Sequence, residues 1–325
     1  MPEYCVTGGT GFIASYLIRE LLSRGHIVRA TVRDPDDEKR VGYLWSFDGA
    51  KERLKLVKAD LMEDGSFNEA VDGVDGVFHT ACPVFVPQDN IQETMIKPAI
   101  KGTVNLLNSC AKARSVKRVV LTSSCSAVRY HKDAAAISPL NESHWSDVEY
   151  CKKYDLWYAY AKTLAEKEAW NQAKVQNIDL VVVNPSFVVG PLITPQPTST
   201  LHMVLSVVKG SQEFLGHFPA YPNITIGFAH IDDVVCAHMI AMENSRGSGR
   251  LICSSTVAHW SEIVAMLKSK YPYLPLPDKC SEMQGDSNPH SMDTTKLKEL
   301  GLRSFKTIPQ MFDDCIKSFQ EKGFL

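Results

Sequence analysis

Three side chains in this sequence have the types and spacing to move a proton. Tyr158 and Lys162 stand four apart in Leu156-Trp157-Tyr158-Ala159-Tyr160-Ala161-Lys162, and Thr122-Ser123-Ser124 ends 34 residues before the tyrosine. On a helix that spacing puts phenol and ammonium on one face. A nearby cation favours phenolate, so Lys162 is expected to draw the tyrosine down from an ordinary pKa of about 10. Such a phenol can hand a proton to a carbonyl oxygen as hydride arrives, or take one back. Ser124, at the end of a strand, would hydrogen-bond and orient the same oxygen. Alone, a Tyr-x-x-x-Lys pair usually means a lysine on a helix surface. Its company decides.

That company includes a phosphate-binding loop. A first strand runs into Thr7-Gly8-Gly9-Thr10-Gly11-Phe12-Ile13-Ala14. Gly8 and Gly11 permit a tight turn and a close approach of backbone to a pyrophosphate, while the following helix offers unpaired N–H groups to the anion. Ala14 replaces the usual third glycine at a position that needs only a small residue. Gly8, Thr10, Gly11, Phe12 and Ile13 are the expected contacts. The second strand ends at Arg33, where an NAD enzyme would place an acid for the ribose hydroxyls. A guanidinium there can instead pair with a 2′-phosphate, which makes NADP(H) the expected cofactor. Lys39 and Arg40 follow about two turns on.

The elements that must position these groups alternate through the first 185 residues. β-Branched runs at Tyr4–Thr7, Ile27–Val32, Leu54–Lys58, Gly76–His79, Arg118–Thr122 and Leu180–Asn184 predict strands. Between them fall helical patterns at Gly11–Ser23, Ile91–Ala113 (kinked at Pro98) and Tyr154–Val175. The expected fold is α/β, a Rossmann doubly wound parallel sheet. Residues 1–185 would form the NADP-binding domain and 186–325 a smaller substrate-binding lobe. Strand-like segments near Thr225–Phe228 and Leu251–Cys253 are expected to rejoin the main body.

Bulk composition narrows the class. Of 325 residues, 44% are hydrophobic and 22% charged, with net charge −2, so no strong attraction to nucleic acid or anionic membrane follows. No apolar run reaches the ~20 residues of a membrane span, and no leader is evident at the amino terminus. Nine cysteines without a Cys-x-x-Cys pair suggest reduced thiols and a cytoplasmic protein, and no metal-ligand spacing is present. The two acids of His230-Ile231-Asp232-Asp233 read as a helix cap, and His79 as a packed, hydrogen-bonded residue.

Over nearly its whole length the sequence resembles the extended short-chain dehydrogenases/reductases related to dihydroflavonol reductase and cinnamoyl-CoA reductase. The resemblance rests on Val6 to Ile13, Ala30-Thr31-Val32-Arg33-Asp34-Pro35, Lys58-Ala59-Asp60-Leu61 and Val77-Phe78-His79-Thr80-Ala81. It continues through Thr122-Ser123-Ser124, Asn184 to Pro191 and His230-Ile231-Asp232-Asp233. It implies that Asp60 and Leu61 flank the adenine and that Thr80, Ala81 and Cys82 line the nicotinamide side. Pro185 through Val188 would close over the nicotinamide, Lys162 would also reach its ribose, and Arg40 and Ser199 complete the cofactor set.

Two departures bear on substrate. Arg129 stands five residues past the catalytic serine, where flavonoid reducers place asparagine. The tyrosine segment also differs from the Asn-Trp-Tyr-Cys-Tyr-Gly-Lys of cinnamoyl-CoA reductases. The runs Leu121–Tyr130 and Asn141–Ser146 look like plant tetraketide α-pyrone reductases of the second type. That likeness implies a small-molecule polyketide substrate, association with polyketide-pathway enzymes and a place in pollen-wall sporopollenin biosynthesis. Ser124, Arg129, Tyr158 and Phe187 are the expected substrate contacts. Phe85, Val86 and Pro87 on one side, with Phe187, Leu192 and Ile193 on the other, would form an apolar border. Flavonoid ketone and cinnamoyl thioester reduction are the enzymatic alternatives. A non-catalytic NADP(H) sensor is a third, though it would not need an intact Ser124, Tyr158 and Lys162.

Overall fold

The computed structural model describes residues 1–84, 90–198, 200–211, 220–282 and 288–325. Its main sheet contains β1 (Glu3–Thr7), β2 (Ile27–Val32), β3 (Leu54–Lys58), β4 (Gly76–His79), β5 (Arg118–Thr122), β6 (Leu180–Pro185) and β10 (Gly249–Cys253). They lie in the order β10-β6-β5-β4-β1-β2-β3, all parallel. Helices cover both faces, so strands such as Val119–Leu121 are apolar throughout rather than alternating. The order reverses between β1 and β4, and the crevice outside their carboxyl ends is where such sheets bind ligands.

A three-stranded sheet of β7 (Phe187–Val189), β9 (Thr225–His230) and β11 (Thr256–His259) stands beside the main one, and β8 (Ala220–Tyr221) pairs with β12 (Lys279–Cys280). Of the two segments expected to rejoin the main body, only Leu251–Cys253 does, as β10 along β6. The Thr225 segment pairs with β7 and β11 instead. Beneath this small sheet Phe187, Phe228, Trp260 and Phe312 meet edge to face or tilted at 5.6–6.2 Å. Such contacts hold the small sheet to the last helix, Ile308–Glu321, which carries Phe312.

Two helices differ from their sequence patterns for local reasons. The expected kink at Pro98 is instead a boundary: a π-helical turn spans Gln92–Ile96 and the α-helix begins at Lys97. A proline ring clashes with the carbonyl of the preceding turn and offers no N–H, so the turn before it widens. The helix expected from Tyr154 starts at Trp157, after a separate short helix, Val148–Lys153. Between them Asp155 adopts φ 54°, a left-handed conformation that aspartate tolerates and that ends the first helix. Tyr158 therefore sits in the first turn of its helix. No described helix is long and apolar enough to cross a membrane.

Candidate active site

A cleft of about 840 Å³ runs along the carboxyl ends of the parallel strands. One end is lined by Gly8, Thr10, Gly11, Phe12, Ile13, Arg33, Asp60 and Leu61. Gly8 has φ 69°, and a Cβ there would come within 3.1 Å of Ala81, so the loop cradles its ligand only because Gly8 lacks a side chain. The Phe12–Ser23 helix opens at Gly11 with no side-chain cap and no acid in its first turn, which leaves its amides and dipole to an anion. Exposed Arg33 lines the cleft and makes no hydrogen bond or ion pair among the described residues. Together these features fit a dinucleotide bearing a 2′-phosphate. Arg40 is turned elsewhere: it does not line the cleft and lies 3.4 Å from Asp37. Ser199 lies outside the described residues.

The middle of the cleft is lined by Thr80, Ala81, Cys82, Pro185 and Val188. Thr7, absent from the expected contacts, anchors this stretch. Its Oγ1 accepts from the amides of Thr80 and Ala81 at 3.1 Å each, and its hydroxyl meets His79 Nδ1 at 2.8 Å. His79 is the packed, hydrogen-bonded residue expected, with burial pushing its pKa down to about 3 and Lys162 adding to that.

Ser124, Tyr158 and Lys162 come together at the far end of the cleft. Lys162 is buried and donates to the Thr122 carbonyl at 2.9 Å, pinning helix to strand end. Burial lowers the ammonium's pKa, but Cys82, Tyr158 and Glu166 outweigh it and leave Lys162 above its usual value. Tyr158 overturns one expectation. Its phenol lies above, not below, its ordinary pKa, because burial outweighs the opposing pull of Lys162 and of a hydrogen bond from Ser124. Stripping water from a phenolate costs more than one buried ammonium returns. The phenol is thus neutral, the form that gives a proton. Ser124 Oγ accepts from the Ser126 amide at 3.0 Å, which turns its own hydrogen toward the phenol and the cleft.

The substrate expectations divide. Arg129 is buried rather than a surface charge, and it lines the cleft. Its guanidinium donates to Thr225 O at 3.1 Å and to the Tyr130 hydroxyl at 2.6 Å while lying over the Tyr130 ring. Phe187 lines the cleft from the aromatic cluster, but Leu192 and Ile193 pack into the core instead, as a strand end turning inward demands. Phe85, Val86 and Pro87 lie outside the described residues. Sequence patterns missed Met203, on the helix Thr200–Val208, and Ile226 and Gly227, on β9, which carry no motif. The cap of the Ile231–Glu243 helix is structural as read, but His230 forms it by accepting from the Asp232 amide. Asp232 and Asp233 instead hold the Lys306 ammonium and amide.

Comparison with known proteins agrees with this geometry. The family model "NAD dependent epimerase/dehydratase family" matches residues 4–252. The chain is 64% identical over 327 residues to Tetraketide alpha-pyrone reductase 2 of Arabidopsis thaliana, with all of both chains covered. Among solved structures it is similar to vestitone reductase from alfalfa (TM-score 0.81, 35% identity, all of both chains). It is also similar to yeast methylglyoxal/isovaleraldehyde reductase Gre2 complexed with NADPH (TM-score 0.84, 25% identity, 99% of this chain and 100% of that one). On the strength of the loop, the sheet order and these full-length likenesses, the chain belongs to the NAD dependent epimerase/dehydratase family.

Proposed function

We propose that the protein is an NADPH-dependent reductase that converts a ketone on a tetraketide α-pyrone to a secondary alcohol, in the supply of pollen-wall precursors. The full-length identity of 64% to a protein named Tetraketide alpha-pyrone reductase 2 supports the substrate assignment. The trio at the end of the cleft carries the chemistry. A bound nicotinamide would supply hydride to the carbonyl carbon. Neutral Tyr158 gives its proton to the carbonyl oxygen, Ser124 holds that oxygen, and the Lys162 ammonium stabilises the phenolate left behind. Arg33 favours the phosphorylated dinucleotide.

Pro83, Val84, Phe187, Met203 and Ile226 give the substrate end an apolar lining suited to an alkyl chain, each buried methylene contributing about 0.8 kcal/mol. Arg129 acts on substrate by fixing Tyr130 on the cleft wall. The assignment is tested with specificity constants for a long-chain tetraketide pyrone, a dihydroflavonol and a cinnamoyl thioester. The pyrone is expected to lead by at least about tenfold, a difference of ~1.4 kcal/mol, and Arg129→Asn to narrow that lead. Better turnover of either other substrate would overturn the pyrone assignment and leave the reductase chemistry standing.

A further inference from the structure

The helix that carries Tyr158 and Lys162 places a third charged residue in line with them, one turn further on. Glu166 is fully buried, and its carboxylate is the meeting point of four elements. Oε1 accepts from Arg250 Nε at 2.6 Å. Oε2 accepts from Ser123 Oγ at 2.5 Å and from Asn184 Nδ2 at 2.9 Å. The same Asn184 amide group also donates to the main-chain carbonyl of Ser124 at 3.1 Å. Ser124 is thus flanked by two links to one carboxylate, through its neighbour's hydroxyl and through its own carbonyl.

Arg250 is 5% exposed and closes the arrangement from the other side. It donates to the carbonyls of Glu142 and Ala127 at 3.2 Å each and to that of His144, and it lies 3.9 Å from the centre of the Trp145 ring. Ala127 ends the short turn Cys125–Ala127 whose first residues follow Ser124. The segment carrying Ser124 is therefore held at its strand end by Glu166 and at its loop end by Arg250, and the two holders are bound to each other. Glu166, Asn184 and Arg250 do not line the cleft, whereas Ser123 does, next to Ser124.

We propose that Glu166, backed by Arg250, is a positioning residue that sets the direction of the Ser124 hydroxyl through Ser123 and Asn184. The proposal rests on Ser124 acting on the substrate oxygen, as read above, but not on which ketone is reduced. A carboxylate suits the task because it accepts several hydrogen bonds at once in fixed directions, and burial keeps water from competing for them. The device matters when the oxygen gains charge, so its loss lowers kcat and leaves NADPH binding alone.

The test pairs two substitutions with Ser124→Ala and uses whichever ketone the wild type turns over fastest. Ser123→Ala removes one donor while Asn184 and Arg250 still satisfy Glu166, so this protein should fold. It should lose roughly three- to tenfold in kcat, with NADPH affinity by fluorescence titration and the melting temperature nearly unchanged. Glu166→Gln should lose more, about 30-fold or beyond, since an amide cannot accept on both sides. In a Ser124→Ala background, Ser123→Ala should cost less than about twofold, because its route to the substrate is already gone. Equal losses in both backgrounds, or an unchanged kcat in Ser123→Ala, would overturn the proposal. Should Glu166→Gln fail to fold, Ser123→Ala alone decides. Loss of the pyrone preference with this non-additivity intact would fault the substrate assignment and not the positioning.

Discussion

The two ends of the cleft are built from different materials. At the cofactor end the working parts are main-chain groups, a missing side chain and one exposed one: Gly8 in a left-handed conformation, the uncapped start of the Phe12–Ser23 helix, and Arg33, whose side chain has no hydrogen bond or ion pair among the described residues. At the catalytic end they are buried side chains fixed by partners far along the chain, Ser123 to Glu166 and Glu166 to Arg250. The first end needs only a turn and can remain open to solvent. The second must hold a hydroxyl, a phenol and an ammonium at fixed angles, and this requires buried, hydrogen-bonded polar groups. A substitution at one end should therefore change binding, and one at the other should change turnover.

The largest effect should follow Tyr158→Phe, which keeps the ring and removes the proposed proton donor. Turnover is expected to fall by about 10²–10⁴ while NADPH titration gives the wild-type affinity. A parallel loss of affinity would break the contrast between the ends. Because the wild-type phenol lies above its ordinary pKa, ketone reduction should hold steady from neutral pH to about pH 9, and alcohol oxidation, which needs the phenolate, should climb across the same range.

Arg33→Asp tests the cofactor end. Losing a charge-assisted pair and adding repulsion should weaken NADPH binding by roughly 2–4 kcal/mol, with kcat at saturating cofactor little altered. Titrating NADH and NADPH into both proteins measures it, and a wild type that binds the two equally well would remove the role given to the guanidinium.

The last effect concerns stability in acid. His79 and His238 are buried, with burial pushing them down to about 3 and about 4. His238 bridges Thr122 Oγ1 and the Val234 carbonyl at 2.7 Å each, an arrangement that suits the neutral ring. The unfolded chain takes up protons at these histidines from about pH 6.5 downward, whereas the folded chain does not. Stability from each is complete above that pH and should fall by ~1 kcal/mol per pH unit down to the folded values. Denaturant melts at pH 7 and pH 5 measure it, and His238→Asn should shrink the difference.

The same contrast explains what could be read from sequence. Glycine spacing, the β-branched runs and the Tyr158–Lys162 interval are local patterns, and all seven main-sheet strands with both ends of the cleft follow from them. Glu166 gave one local sign, standing four residues after Lys162, but its meaning depends on Arg250, 84 residues away. No window of sequence contains both. Asp155 could not announce its left-handed turn, because aspartate adopts that conformation only where its surroundings demand it. The phenol's pKa erred in sign for a related reason: spacing shows the neighbouring cation, while burial belongs to the whole fold.

The late arrival of β10 has a consequence for how the molecule is made. Until residues 249–253 leave the ribosome, β6 is the bare outer strand of the sheet, apolar on both faces and ready to pair with another nascent chain. Arg250 travels on that strand, so Glu166 waits without its counter-ion while some 80 further residues are synthesised. The corner around Glu166 is completed when the sheet is sealed, and by the same five residues.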